Sequence, residues 1–241
     1  MNFILDVHCH TISSTHAYST ITENAAHAAS IGLTHMGIAD HGPGMPGGAH
    51  RYHFFNLGAL PDEIHGVKIL RGIEANILNE KGELDFDNQY LTRLDFVIAS
   101  MHREVIIPAD CAANTAALIN AMENPHVHIL GHMHNPQYPI DIEAAVKAAA
   151  RTHTIIEINN HSLIPGSFRY AGDDDFVQTL ELCKKYNVSV LASSDAHYHT
   201  SVGNFCYAQP LIEKSDIPEE LVVNTCAKRF ANAIQRKGSI K

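Results

Sequence analysis

The sequence predicts an α/β protein built on a parallel sheet, open or closed. Two observations carry this. Short apolar runs rich in Ile, Val and Leu recur seven times along the chain, and helical stretches separate most of them. The runs are FILDV (3–7), HMGIA (35–39), VKILRGI (67–73), DFVIAS (95–100), VHILG (127–131), TIIEI (154–158) and VSVLAS (188–193). Each is brief and lies close to Gly, Asn, Asp or Pro, the pattern of buried parallel strands. The helical stretches are ENAAHAASIG, CAANTAALINAME, DIEAAVKAAA and DDFVQTLELCKKY. A last helix, PEELVVNTCAKRFANAIQ, is expected to begin at Pro218, which suits a first helical turn. The loop GPGMPGGAHRYH (42–53) is the longest loop signal and is expected to border a site. With no internal repeat, low-complexity tract or linker, residues 1–241 read as a single domain.

Composition narrows the function. Hydrophobic residues at 45% supply a core, and charged residues at 18% exclude a disordered chain. The net charge of -9 and the lack of a basic run argue against affinity built on nucleic-acid phosphates. A small anionic substrate remains compatible if bound metal supplies positive charge locally. The five cysteines, spread and without a CxxC, imply no disulfide framework. MNFILDVHCH is too short and polar for a signal peptide, and no apolar run approaches a membrane span, so a cytoplasmic protein is expected. The oddity is 18 histidines, more than the 17 lysines and arginines together. So many make any single one suspect, and only position can sort them.

Position does sort them. His8 and His10 follow the first run, Asp40 and His41 the second, Glu74 the third and His102 the fourth. His132 follows the fifth, Asn159 and Asn160 the sixth, and Asp195 and His197 the seventh. Every run thus ends in ligand-type or amide side chains at its carboxyl end, where parallel α/β proteins build their sites. His8 and His10, two apart on extended chain, point to the same side, and Cys9 between them points into packing. A carboxylate such as Glu74 after an apolar strand is costly unless paired or metal-bound. His with Asp/Glu and no Cys suits Zn²⁺, Mn²⁺ or Fe²⁺. Asp40 reads as a partner that orients a ligand rather than as a ligand. His27, His35, His65, His126, His128 and His153 fall on helices, strand starts or wrong-edge turns and read as incidental. His50, His53, His134, His161 and His199 lie near the presumed mouth with no role assigned.

The motifs DVHCHT, His16, ADH (39–41), RGIEAN (71–76), SMH (100–102), GH (131–132), EINN (157–160) and SSDAH (193–197) resemble, in order, those of the PHP (polymerase and histidinol phosphatase) superfamily. The likeness is greatest to its YcdX-type phosphatase branch. This resemblance implies a distorted (βα)7 TIM-like barrel with a trinuclear centre, usually zinc, at the C-terminal ends of the strands. It implies that His8, His10, Glu74 and Asp195 hold one ion. Glu74 would bridge to a second ion held by His102 and His132, and His16, His41 and His197 would hold a third. Arg169 in GSFRYAG is the implied phosphate-binding residue, with Arg51 and Arg103 as alternatives. GHMHNP carries a histidine, His134, that the family's stretch usually lacks, and it is a second substrate candidate.

The expected activity is hydrolysis of a small phosphomonoester, with Glu74, Asp195 and His102 at the catalytic centre. Water bridging the metals, its pKa lowered toward ~7, would attack phosphorus in line. Three rivals stand beside this reading: an amidohydrolase-type enzyme acting on C–N or C–O bonds, a non-catalytic PHP scaffold and a metal-storage or sensor protein. His16 and His41, placed to build a third metal site, count against the first; the complete ligand set counts against the second. Placement at the strand ends counts against the third. The branch also implies a homo-oligomer.

Overall fold

The computed structural model describes residues 1–170 and 172–238. Eight strands form among the described residues: β1 (Leu5–Cys9), β2 (His35–Ile38), β3 (Glu63–Ile64), β4 (Val67–Asn76), β5 (Phe96–Ser100), β6 (Ile129–Leu130), β7 (Ile155–Asn159) and β8 (Val190–Ser193). Seven of them pair in parallel in the order β1-β2-β4-β5-β6-β7-β8, and β3 is a short antiparallel flap on β4. Helices α1 (Ile21–Ser30), α2 (Arg51–Phe55), α3 (Asn88–Leu91), α4 (Cys111–Glu123), α5 (Ile142–Thr152), α6 (Asp174–Tyr186), α7 (Ala208–Lys214) and α8 (Ala227–Gly238) accompany them. All seven expected strands are present. The loop expected at 42–53 runs into α2.

The sheet curls until its edges meet. At the upper rim His10 N–H donates to the Ala196 carbonyl (2.8 Å) and Ala196 N–H to that of His8 (3.2 Å). Lower down the two edges do not pair directly. There Asn224 fills the seam: its Nδ2 donates to Leu5 O (3.1 Å) and Ala192 O (2.8 Å), and its Oδ1 accepts from Ala192 N (2.7 Å). The barrel is therefore nearly closed, with one side chain standing in for missing ladder bonds. The same feature corrects the last helix, which starts at Ala227 rather than Pro218. Residues 219–225 form two 3-10 turns instead, Glu219–Leu221 and Val223–Thr225, because Asn224 is committed to the seam and Val223 to the core.

Alternation along the strands divides the barrel interior into two storeys. Leu5, Val7, Phe96, Ile98, Ile129, Ile155 and Leu191 form an apolar lower storey, plugged by Phe230 of α8. Gly37 and Gly72 leave room for the Phe96 ring; a Cβ on Gly72 would sit 2.3 Å from its Cζ. Continuing each strand by twos gives the upper storey: Glu74 and Asn76 on β4, Ser100 on β5, Glu157 and Asn159 on β7, Ser193 on β8, all fully buried. In β1 the pairing slips between Asp6 and Cys9, where three steps on β1 match two on β2. One extra residue reverses the alternation. Val7 thus stays in the lower storey while His8 and His10 reach the upper one and Cys9 packs outward. No helix among the described residues is long and apolar enough to cross a membrane.

Candidate metal centre

Glu74 lies two residues before the end of the long strand β4 and sits at the middle of the upper storey. Five imidazoles converge on its carboxylate. His41 Nδ1 lies 2.7 Å from Oε2 and His132 Nε2 2.8 Å from Oε1, with His102 at 3.4 Å, His8 at 3.5 Å and His10 at 3.6 Å. They come from β1 and from the loops after β2, β5 and β6, so barrel closure itself gathers them. Burial pushes the Glu74 carboxyl up, but His102, His8 and His41 outweigh it and hold it well below the usual carboxylate range.

Asp195 stands beside this group, with His10 Nε2 3.2 Å and His8 Nε2 3.6 Å from its Oδ1. Its Oδ2 accepts from Arg169 Nη2 at 2.5 Å. Burial raises the Asp195 carboxyl; Arg169, His8 and His10 together hold it well below its ordinary value. The third group lies toward solvent. His16 and His41 face each other Nε2 to Nε2 at 3.2 Å, and the His16 and His197 ring centres are 4.8 Å apart. His197 Nδ1–H donates to the Asp195 carbonyl (3.0 Å). All nine expected ligands thus meet in one place. The compact donor groupings match the expected partition in part: His8, His10 and Glu74 form one set within the first ion's expected ligands, while His10, His41 and His197, and His41, Glu74 and His102, form sets that cross it.

The residues fit divalent cations. Among the described residues, His8 Nε2, His10 Nδ1 and Glu74 Oε2 are buried without a hydrogen bond, since the close His41 Nδ1 contact to Oε2 lacks hydrogen-bond geometry. Leaving such groups unmet costs about 1–3 kcal/mol each, and a cation among them would meet that cost. His10 is held well below its ordinary pKa by burial and by His41 and His197, so it presents the neutral, ligating imidazole. His132 is pushed down to about 4 by burial and by Arg169. Two of the nine also bend the backbone: His132 (φ 23°) and Asp195 (φ 55°) lie in the left-handed region, strain of the kind stored at functional sites.

A further shell orients the ligands. His8 Nδ1–H donates to Glu157 Oε1 (2.5 Å), turning Nε2 toward Glu74. Glu157 also accepts from Ser193 Oγ (2.5 Å) and from the His132 backbone N–H (2.6 Å), and so ties β1, β7, β8 and the loop after β6 together. His102 Nδ1–H donates to Asn76 Oδ1 (2.8 Å), and Asn76 is fixed in turn by Asp85 (2.5 Å). Asp40 accepts from Thr11 N (2.8 Å), Thr11 Oγ1 (2.7 Å) and Ser14 Oγ (2.8 Å), while Ser14 Oγ accepts from His41 N–H (3.0 Å). Asp40 thereby fastens the loop carrying His16 to the loop carrying His41 through Ser14, and makes no direct contact to a ligand ring among these bonds. Glu157 and Asp85 are missed by the strand-end reading. Glu157 had a signal, a lone carboxylate inside TIIEI; Asp85, in a distant loop, had none.

A cavity of about 670 Å³ opens over the cluster, lined by His16, His41, His102, His132, Asp195 and His197, with Arg169 in its wall. Met45 and Pro46 of the 42–53 loop border it as expected, and Arg103 lies at its edge. Arg51 instead pairs with Asp87 at the surface (3.2 Å). His134 is a correction: it does not line this cavity. Its ring stacks on Phe176 of α6 at 3.8 Å and its Nε2–H donates to Thr179 Oγ1 (2.8 Å), so it belongs to the packing between the loop after β6 and α6. Of the unassigned histidines, His161 lines the cavity and His53 lies 3.1 Å from Asp40, outside the ligand group.

Comparison with known proteins agrees with this architecture. The PHP domain family model matches residues 6–161. A probable phosphatase of Clostridium acetobutylicum is 43% identical over 241 residues, covering 100% of this chain and 98% of the relative. One from Caldanaerobacter subterraneus subsp. tengcongensis is 46% identical over 239 residues, covering 98% and 93%. Among solved structures, histidinol phosphate phosphatase from Lactococcus lactis, complexed with zinc, L-histidinol and phosphate, superposes with a TM-score of 0.61 at 17% identity. It covers 89% of this chain and 94% of that one. By family match and by relatives aligned end to end, the chain belongs to the PHP domain family.

Proposed function

We propose that this protein is a metal-dependent phosphatase that hydrolyses phosphomonoesters at a three-ion centre, with residues 1–241 acting as one catalytic unit. The observation that carries the reading is the convergence of five imidazoles on the buried Glu74, with Arg169 reaching the adjacent Asp195. The relatives named probable phosphatases, and the zinc and phosphate of the Lactococcus lactis enzyme, support it. Three divalent ions, zinc by the donor chemistry with manganese or iron as alternatives, would be held as follows. His8, His10, Glu74 and Asp195 take one, Glu74, His102 and His132 a second, and His16, His41 and His197 the third. When bound, such ions activate water near neutral pH and neutralise charge on phosphoryl oxygens.

The chain's own residues do the rest. Arg169 spends one N–H on Asp195, and its remaining guanidinium donors would hold phosphoryl oxygens at the cavity wall. Glu157 and Asn76 keep His8 and His102 in the tautomer that presents Nε2. The substrate is a small phosphorylated molecule, sized to the cavity. Phosphate release from a panel of phosphorylated metabolites tests the reading, with wild type compared to Glu74→Ala. Turnover is expected in the wild type and its abolition, with the fold retained by circular dichroism, in the variant. Near-normal activity of Glu74→Ala would refute the assignment.

A further inference from the structure

An alkanol leaves phosphorus poorly as a bare alkoxide, so its ester oxygen gains from a proton donor placed beside it. The cavity wall offers few. Of the six imidazoles lining it, His16, His41, His102, His132 and His197 belong to the expected ligand set. Arg103 and Arg169 hold their protons too tightly to release one. Glu104 is exposed, and an exposed carboxyl is ionised near neutral pH. His161 is left, the one side chain in the wall that can carry a proton near neutrality and has no other task.

Its setting suits that use. His161 opens the 3-10 turn His161–Leu163 directly after β7, on the same connection as Arg169. The backbone on both sides is pinned. Asn160 N–H donates to Ser193 O (2.8 Å), and Asn160 Oδ1 accepts from the N–H groups of Tyr207 (2.9 Å) and Ala208 (3.0 Å). Ser162 N–H donates to Asn159 Oδ1 (2.9 Å). The His161 ring itself is half-buried and makes no hydrogen bond among the described residues. Burial lowers its pKa from 6.5; Asp195 opposes this, while Arg169, His197 and His8 add to it. A phosphoryl dianion held by Arg169 would offset that cation and favour the protonated ring, so the substrate brings the proton with it.

We propose that His161 is the general acid of the reaction, giving its ring proton to the ester oxygen as the alcohol departs. This goes beyond the phosphatase reading and rests on it. Hydroxide oxygen bonds to phosphorus, the P–O bond to the alcohol breaks, and its electron pair stays on the departing oxygen. That oxygen takes the N–H proton, the product leaves as a neutral alcohol, and the neutral imidazole regains a proton from solvent at the cavity mouth.

The test compares p-nitrophenyl phosphate with p-nitrobenzyl phosphate on the zinc- or manganese-loaded chain. The two differ by one methylene, but the first releases an acidic phenol that needs no proton and the second an alkanol that does. In His161→Gln, kcat for the benzyl ester should fall roughly 10²- to 10⁴-fold. KM should hold, and kcat for p-nitrophenyl phosphate should stay near the wild-type value. His161→Asn should repeat the pattern, and both variants should keep the wild-type metal content. An equal fall on both esters, no fall on either, or loss of bound metal overturns the proposal. So does a wild type that releases phosphate from the phenyl ester alone, and in all these cases the phosphatase reading stands. No release from either ester by the wild type overturns both.

Discussion

Glu157 shows how much of the centre depends on a residue that would not itself be a ligand. It is fully buried, and burial raises its carboxyl, yet His8 and its hydrogen bond hold it below the ordinary value. Replacing it with Gln keeps the shape and removes the charge that fixes His8. Metal affinity of Glu157→Gln, measured by competition with a chromogenic chelator, should fall roughly 10–100-fold; wild-type affinity would contradict the positioning role. His134 offers a separate test at the same scale. Burial pushes it down from 6.5 to about 3, so it is neutral in the folded protein over that interval while the unfolded chain is already protonated. Its share of stability is present above pH 6.5 and is lost as pH falls toward 3. His134→Gln can still donate to Thr179 but cannot titrate. Its unfolding free energy should fall less steeply over that window, by about 1.4 kcal/mol per pH unit. Denaturant titrations at a series of pH values check this, and parallel wild-type and variant curves would count against it.

Among the elements, the seam of the barrel makes the sharpest demand. Asn224 supplies hydrogen bonds to the backbones of β1 and β8 where the strands do not reach each other. Asn224→Ala would leave Leu5 O, Ala192 O and Ala192 N buried and unmet, and stability should drop by about 2–4 kcal/mol. Urea denaturation measures it, and a loss under 1 kcal/mol would mean that the seam closes by other bonds. The seam also marks the limit of what could be read from sequence. The strands and helices α4 and α6 announce themselves, because apolar runs and helical stretches are local signals. The 219–225 segment carries helix formers and a proline start, yet its conformation is decided by a gap between two strands more than 180 residues apart. The β1 bulge is likewise absent from FILDV, although the ligand pair His8 and His10 depends on it. Eight of the nine side chains were legible because a parallel barrel sends every carboxyl end to one rim; His16, farther along the loop after β1, was carried by the motif resemblance. Asp85 was not, since its role exists only through contact with Asn76.

At the scale of the whole molecule, an apolar lower storey stabilises the barrel and a polar upper storey concentrates buried charge. Glu74, Asp195 and Glu157 lie under one rim with five imidazoles around the first, an arrangement that bound cations would balance. Sequence alone pointed to this rim, and the fold brings its members within contact. The most direct test is the metal content of the purified chain after equilibration with zinc or manganese and removal of free ions, read by inductively coupled plasma mass spectrometry. The account predicts three ions per wild-type chain and a clear loss in Glu74→Ala. A wild-type chain that retains none, or a Glu74→Ala chain that retains all three, would contradict it.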